Sequence, residues 1–164
     1  MRVVVADTGP LNYLVLIDSV DLLPKLFEKV FTPEAVRAEL LDPDTPAAVR
    51  TWAAQPPPWL EISPVSVAID DPAWRALDVG ERAALALART LSAELVLMDD
   101  RVGVAVAQRQ GFTVTGTLGV LDLAARRGLV DLADAFAWLR ATSFRYPPEM
   151  MDALLARYRK GDQE

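Results

Sequence analysis

Five acidic residues of this 164-residue chain lie beside apolar segments in a pattern that suits metal chemistry. Asp7 follows the run VVVA, Asp99 and Asp100 follow LVLM, Glu39 lies in PEAVRAELL and Glu81 lies in DVGERAALALA. Gathered in one cleft, four or five carboxylates repel one another strongly unless a cation neutralises them. Mg²⁺ or Mn²⁺ prefers oxygen ligands, binds phosphate oxygens and makes a bound water nucleophilic. The pattern therefore predicts a divalent metal site suited to displacement at phosphorus.

Each of these acids also has a simpler structural explanation. The aspartates that follow the two apolar runs can cap the helices that come next. Asp78 and Glu81, three residues apart, have the spacing of a capping box. Glu39 lies late in its helix, where a carboxylate caps nothing, so its alternative is exposure to solvent. For any single acid the structural explanation is the more economical one, and only the joint pattern points to a site.

The elements that must position these acids are short apolar runs alternating with helical patterns. The runs predict strands over residues 2–6, 30–32, 60–65, 95–98 and 112–116. Nine helical segments are predicted around them: PLNYLVLID, VDLLPKLFEK, PEAVRAELL, TPAAVRTWAAQ, GERAALALARTL, RVGVAVAQRQG, TLGVLDLAARRG, DLADAFAWLRAT and PPEMMDALLARYRK. This alternation is typical of a three-layer α/β/α fold with a central, mostly parallel sheet of about five strands. The first and fourth strands both end in aspartate and can be neighbours with their ends at one edge.

The length and composition predict one globular domain over residues 1–164. Hydrophobic residues make up 52% and charged residues 24%, and no apolar run is long enough to span a membrane. We expect the C-terminal helices, at about 131–160, to pack on the domain or to mediate dimerisation. The chain has neither histidine nor cysteine, which excludes histidine-based triads and Cys/His zinc sites. The lack of cysteine fits a cytoplasmic location.

The charge is unevenly distributed along the chain. Its net charge of −6 argues against non-specific nucleic-acid binding through a large basic surface. Residues 1–100 hold 16 acidic and 8 basic residues, whereas residues 101–164 hold 7 acidic and 9 basic residues. A local basic face in the C-terminal part is therefore compatible with the acidic total, although solvated helix surfaces account for most such arginines.

The acidic segments, taken in order, resemble one known family. The likeness is carried by VVVADTGPLNYL, TPEAVRAELL, GERAALALA and LVLMDDRVGVAVAQRQGFTVTGTLGVLDLAARRGLV. These stretches resemble the PIN-domain family, and within it a branch related to the VapC-type toxins, over about residues 2–130 in matching order and spacing. The resemblance implies an endoribonuclease that hydrolyses RNA phosphodiester bonds with Mg²⁺ or Mn²⁺.

The resemblance also assigns roles to the five acids. It makes Asp7, Glu39, Glu81 and Asp99 the catalytic acids, with Asp7, Glu81 and Asp99 as metal ligands and Asp100 as an additional ligand. We expect Glu39 to orient or deprotonate the attacking water. A glutamate in the third position departs from the VapC toxins, in which aspartate is more usual.

Four further residues are candidates for contact with the substrate. Thr8 occupies the family's usual Thr or Ser position, and Thr117, or alternatively Thr115, is placed to hold a metal-bound water. A turn is the simpler explanation for the latter threonines. Arg82 and Arg101 each lie beside an acid and could meet RNA phosphates, with a surface ion pair as the equal alternative.

Two other functions compete with the ribonuclease. LVLMDD resembles the metal-binding aspartate pair of haloacid-dehalogenase-like phosphatases, but Gly9 stands where their nucleophile motif needs a second aspartate. The second rival is a PIN-like fold that has lost catalysis and serves as a binding or regulatory module. If the chain is a toxin, the implied partners are an RNA substrate, a small antitoxin protein and a second copy in a homodimer, with no membrane involved.

Overall fold

Five parallel strands form one central sheet in this computed structural model, which describes residues 2–65 and 72–162. The strand order across the sheet is β3-β2-β1-β4-β5, and every neighbouring pair is parallel. The strands are β1 (Val4–Ala6), β2 (Val30–Pro33), β3 (Leu60–Ser63), β4 (Leu95–Leu97) and β5 (Val114–Thr115). Each lies within one of the five predicted runs or extends it by one residue, so the predicted fold class is confirmed.

Helices connect the strands on both faces of this sheet. In the described part of the chain they are α1 (Thr8–Leu16), α2 (Leu22–Phe27), α3 (Glu34–Leu40), α4 (Ala47–Ala54), α5 (Val79–Leu91), α6 (Arg101–Arg109), α7 (Thr117–Arg126), α8 (Leu132–Arg140) and α9 (Pro148–Asp162). Each corresponds to one predicted helical segment. The short 3₁₀ turn at Pro72–Trp74 is an addition that the helical patterns did not predict.

The sheet separates two hydrophobic clusters, because successive side chains of a strand point to opposite faces. Val4 and Ala6 of β1 pack against residues of α1, α2, α3, α4, α7 and α8. Val5 of β1 and Val96 of β4 pack on the other face, against residues of α5 and α6. The strands are covered on both sides, which explains their continuous apolar runs and the α/β/α layering.

Helix α5 packs closely against the sheet because its buried surface is largely alanine. Its residues from Ala83 to Ala88 are all buried, and the helix contacts β1, β2, β4 and α3. A capping box fixes where it begins: the Asp78 side chain accepts from the Glu81 N–H, and the Glu81 side chain accepts from the Asp78 N–H. The capping box thereby places Glu81 in the first turn of α5.

The C-terminal helices pack on α7 and on each other. Three residues of α8 are fully buried, namely Leu132, Phe136 and Leu139, and Met151 of α9 is only 3% exposed. On the outer side of α8, Trp138 remains 47% exposed. Dimerisation through these helices stays a prediction. In the described part of the chain, none of the helices has the length and apolar character needed to cross a membrane.

Candidate active site

The register of β1 and β4 brings two of the predicted acids to one edge of the sheet. Val4, Val5 and Ala6 pair with Leu95, Val96 and Leu97. The Asp7 N–H then donates to the Leu97 carbonyl at 2.8 Å, extending the ladder by one residue. Because both strands run in the same direction, the side chains of Asp7 and Asp99 emerge at the same carboxyl edge.

Asp7 is buried, with 6% of its surface exposed. It occupies the N-cap position of α1, yet its side chain makes no capping hydrogen bond, so the predicted capping role of this carboxylate is wrong. Within the described residues its Oδ1 atom is buried and has no hydrogen-bond partner. Burial raises the pKa of Asp7 to about 7; the Thr8 N–H lowers it, and the charges of Asp78, Glu39 and Asp99 raise it further.

Asp99 is held by a residue that follows the next strand. The Thr117 N–H donates to Asp99 Oδ1 at 2.7 Å, and the Thr117 hydroxyl donates to Oδ2 at 2.6 Å. Burial raises the pKa of Asp99 even though both of these hydrogen bonds act to lower it. Thr117 is itself fully buried at the start of α7, so Asp99 is clamped to that helix and does not cap α6.

Glu39 of α3 is hydrogen-bonded to residues of two other helices, α1 and α5. Its Oε2 accepts from the Thr8 hydroxyl at 2.5 Å, and its Oε1 accepts from the Gly80 N–H at 3.0 Å. These contacts join the C-terminal part of α3 to the start of α1 and to the first turn of α5. The alternative expectation of a solvated side chain is therefore wrong, because Glu39 is partly buried and its carboxylate accepts two hydrogen bonds.

Glu81 does more than complete the capping box of α5. Its Oε1 accepts from the Asp78 N–H at 3.1 Å, while its Oε2 is buried and receives no hydrogen bond from the described residues. Burial raises the pKa of Glu81 to about 8, the Asp78 N–H lowers it, and the neighbouring carboxyl groups of Asp100 and Asp78 raise it. The capping role therefore uses Oε1 and leaves Oε2 without a hydrogen bond from the described residues, while the metal-binding role of Glu81 stays a prediction.

Asp100 is exposed and begins α6. Its Oδ2 accepts from the Gly103 N–H at 3.3 Å, so it is the aspartate of the pair that caps this helix. Its carboxyl group also lies close enough to Glu81 to raise the pKa of that residue. We call the carboxyl edge of the sheet, with the side chains of Asp7, Glu39, Glu81, Asp99 and Asp100, the acidic edge. Asp100 lies exposed at its outer rim, whereas Asp7 and Glu81 are buried.

Glycines allow the backbone to approach these carboxylates closely. A Cβ atom added at Gly80 would lie 2.7 Å from the Glu39 carboxyl carbon, and one added at Gly116 would lie 2.6 Å from Asp99 Oδ1. Real Cβ atoms are essentially never found at such distances. Side chains at these two positions would therefore displace the acids.

The candidate ligand atoms at this edge are carboxylate oxygens, the type of ligand that a hard divalent cation prefers. Two of these oxygens, Asp7 Oδ1 and Glu81 Oε2, are buried and have no hydrogen-bond partner among the described residues. Burial and mutual repulsion favour bound protons on Asp7 and Glu81, and a cation would relieve the same repulsion. As the side chains are placed, however, no three acidic residues in the described ranges lie close enough together to form a ready-made ligand group.

The two arginines predicted to contact the substrate lie in different surroundings. Arg82 donates to the carbonyls of Trp74 and Arg75, at 3.0 and 3.2 Å, and so fixes the segment before α5. Its predicted contact with a phosphate stays a prediction, and no ion pair joins it to a described residue. Arg101 is exposed at the start of α6 and lines a groove together with Asp99 and Asp100.

Sequence reasoning missed two features of this region. Asp78 was assigned only to a helix cap, yet its charge also raises the pKa values of Asp7 and Glu81. The second feature is a groove beside Asp99 that is lined by Tyr13 and Tyr146, among others. These two tyrosines are far apart in the sequence, and no sequence pattern predicts that they lie in the same groove.

A family model, DUF3368, described as a PIN domain, matches residues 3–160 of the chain. The chain belongs to the PIN-domain family. A comparison with curated protein sequences gave no significant match. PIN domains are usually nucleases that act on RNA or DNA, and they generally use divalent metal ions. Membership in this family therefore indicates a nuclease-type function for the chain.

Proposed function

We propose that this PIN domain is a metal-dependent endoribonuclease that hydrolyses RNA phosphodiester bonds and serves as the toxin of a toxin-antitoxin pair. The observation that carries the proposal is the pair of buried, partnerless oxygens, Asp7 Oδ1 and Glu81 Oε2, at one edge of the sheet. Unsatisfied buried oxygens are costly in a folded protein, and a bound ligand that completes them is one reason for which they are retained. A third such oxygen among the described residues, Asp122 Oδ1, belongs to a carboxylate that is paired with Arg126 on α7.

In this proposal Asp7, Glu81, Asp99 and Asp100 hold one or two Mg²⁺ or Mn²⁺ ions. When bound, such an ion lowers the pKa of a coordinated water and stabilises charge on the phosphate and the leaving oxygen. The raised pKa values of Asp7 and Glu81 describe the metal-free protein, in which burial favours the neutral carboxyl groups. Asp7 and Glu81 would lose those protons on holding a cation.

Glu39 is the residue we assign to the attacking water. Its carboxylate is fixed by Thr8 and Gly80 and does not cap its own helix, so it is available as a proton acceptor at a defined place. Thr8 and Thr117 act as positioning residues, because each donates a hydroxyl to one of the acids. Arg101, exposed at the rim, supplies a positive charge for a phosphate of the substrate.

The direct test is cleavage of total cellular RNA by the purified protein in Mg²⁺, in Mn²⁺ and in EDTA. We expect cleavage with either ion, none in EDTA, and loss in both Asp7→Asn and Asp99→Asn. The matched control is Asp134→Asn, which removes one carboxylate from the exposed start of α8. Circular dichroism checks that each variant is folded.

Calorimetric titration with Mn²⁺ is the companion measurement. Absence of both cleavage and metal binding would contradict the proposal and favour a PIN fold that serves as a binding module. Metal-independent cleavage would instead contradict the assignment of the four ligands.

The toxin role has a separate test. Expression in a bacterial host should arrest growth, while the folded Asp7→Asn protein should not. Co-expression of a small open reading frame encoded next to this gene should restore growth, and that product should bind the protein. Sedimentation of the purified protein tests the proposed homodimer. Since cellular RNA is the proposed substrate, we assign its action to the cytoplasm.

A further inference from the structure

An open groove of about 1150 Å³ continues from the acidic edge along the protein surface. We call it the C-terminal groove. It is lined by Asp99, Arg101, Gly119, Arg145 and Tyr146, among others. One wall is α6, and the other is the segment 143–147 between α8 and α9. Its volume, at the upper end of the roughly 300–1,000 Å³ of small-molecule pockets, leaves room for a segment of a polymer.

Three aromatic rings form a connected surface in this groove. Phe144 and Tyr146 are parallel to within 1°, with ring centroids 5.7 Å apart. Tyr13 meets Phe144 edge-on at 4.9 Å, and its hydroxyl lies 3.3 Å from the Ser143 hydroxyl. All three rings are partly exposed and line the groove. The rings are held by contacts among themselves and with the hydrophobic core, and Tyr146, partly exposed in the groove, is an aromatic side chain of the kind on which nucleic-acid bases stack.

Positive charge lies beside these rings. Arg101 and Arg145 are both exposed in the groove, and neither has a hydrogen bond or an ion pair with a described residue. By contrast, Arg126 and Arg140 on the neighbouring helices are paired with Asp122 and Asp152. The groove thus combines unpaired guanidinium groups with aromatic faces in a chain whose net charge is negative.

These features favour a polynucleotide over a protein segment. An apolar peptide helix would cover the rings but leave both arginines without partners. An unpaired nucleotide satisfies both features at once, because its base stacks on a ring and its phosphate binds a guanidinium group. A base-paired helix holds its bases inside the stack and cannot offer their faces to the rings.

We propose that the C-terminal groove binds a single-stranded segment of nucleic acid, with a base stacked on Tyr146 and phosphates at Arg145 and Arg101, adjacent to the acidic edge. This assignment of a substrate subsite rests on the proposed nuclease function for its ligand class. The groove shares Asp99 and Asp100 with the acidic edge, so a strand lying in it reaches these two carboxylates.

Fluorescence anisotropy with a fluorescein-labelled oligouridylate, in EDTA, tests the groove without cleavage. Tyr146→Ala should weaken binding roughly 5- to 150-fold, the range found when one stacking ring is removed, while Tyr146→Phe should retain it. Arg145→Ala should weaken binding and reduce the slope of log affinity against log salt by about 0.7. The matched control is Arg127→Ala, an exposed arginine that does not line the groove.

Equal losses in Arg145→Ala and Arg127→Ala would overturn the proposal, since general charge would then explain binding. So would unchanged binding in Tyr146→Ala, or binding of a duplex as tight as that of the single strand. If Tyr146→Ala does not fold, Arg145→Ala decides, because its side chain is exposed. Groove-dependent binding by a protein that never cleaves RNA would refute only the nuclease. Metal-dependent cleavage with unchanged binding in the groove variants would refute only the groove.

Discussion

Thr117 donates both its backbone N–H and its hydroxyl to Asp99, at 2.7 and 2.6 Å, so that one residue holds both oxygens of the carboxylate. The two residues are 18 positions apart and belong to different elements: Asp99 follows β4, and Thr117 begins α7. The hydroxyl is fully buried and has no freedom to turn toward solvent. The orientation of Asp99 therefore depends on the docking of α7.

Replacing Thr117 with valine should lower the rate of RNA cleavage by about 10- to 100-fold, the usual cost of losing a group that orients a metal ligand. Valine keeps the shape and the backbone N–H but cannot donate to Asp99 Oδ2. Thr117→Ser should retain most of the rate because it keeps the hydroxyl. Steady-state cleavage in Mg²⁺ measures the effect, and thermal unfolding separates it from loss of fold. Equal rates for the valine and serine variants would contradict the orienting role.

Glu81→Gln separates the two functions of that residue. Glutamine at the third position of a helix can still complete a capping box with Asp78, so helix α5 should remain intact. The ionisable carboxyl group is lost, and we expect RNA cleavage and Mn²⁺ affinity to fall by at least 10-fold. Thermal unfolding of Glu81→Gln, compared with the wild type, checks that the cap is retained. Cleavage that survives in Glu81→Gln would show that this glutamate acts only as a cap.

Gly80→Ala should lower activity and leave stability nearly unchanged. Alanine is favoured over glycine in a helix by about 1 kcal/mol, which by itself would stabilise α5. The added Cβ, however, would overlap the Glu39 carboxyl group, so that side chain must leave its contact with the Gly80 N–H. We expect cleavage to fall by about 10-fold or more with little change in unfolding temperature. The adjacent exposed Val79→Ala should leave cleavage unchanged.

The arrangement of strands could be predicted because the decisive information is local. VVVAD and LVLMDD each combine a doubly buried strand with a polar residue at its end, and this places Asp7 and Asp99 at one edge once β1 and β4 are neighbours. The capping box of α5 could likewise be predicted, because its two residues, Asp78 and Glu81, are only three positions apart. These are short-range patterns, for which residue type and spacing suffice.

The orientations of the side chains could not be predicted, because they depend on elements that meet only in the folded chain. Asp100 rather than Asp99 caps α6, since Thr117 at the start of α7 takes Asp99. Arg82 turns to the carbonyls of a segment whose path has no periodic signal. In the C-terminal groove Tyr13 contacts Phe144, and the positions of these two residues in the sequence do not predict the contact. The catalytic and ligand roles of the acids themselves stay predictions.

The pH dependence of stability gives a test that needs no substrate. A carboxyl group whose pKa is raised on folding keeps its proton where the unfolded chain has already lost it, so stability falls as pH rises from the unfolded pKa to the folded one. Asp7, with a pKa of about 7, and Glu81, with a pKa of about 8, place this loss between about pH 4 and pH 8. The chain has no histidine to obscure the upper half of that window.

In EDTA we therefore expect the unfolding temperature to be lower at pH 8 than at pH 5.5 by about 5 °C or more. Asp7→Asn should show a shallower decline, because asparagine cannot ionise, and Asp134→Asn should follow the wild type. Mn²⁺ or Mg²⁺ should flatten or reverse the decline, since a cation binds the ionised carboxylates and not the protonated ones. Differential scanning calorimetry measures each curve. An unfolding temperature that rises with pH in EDTA would mean that Asp7 and Glu81 are stabilised as anions by the protein alone, which would remove the electrostatic reason for a metal at this edge.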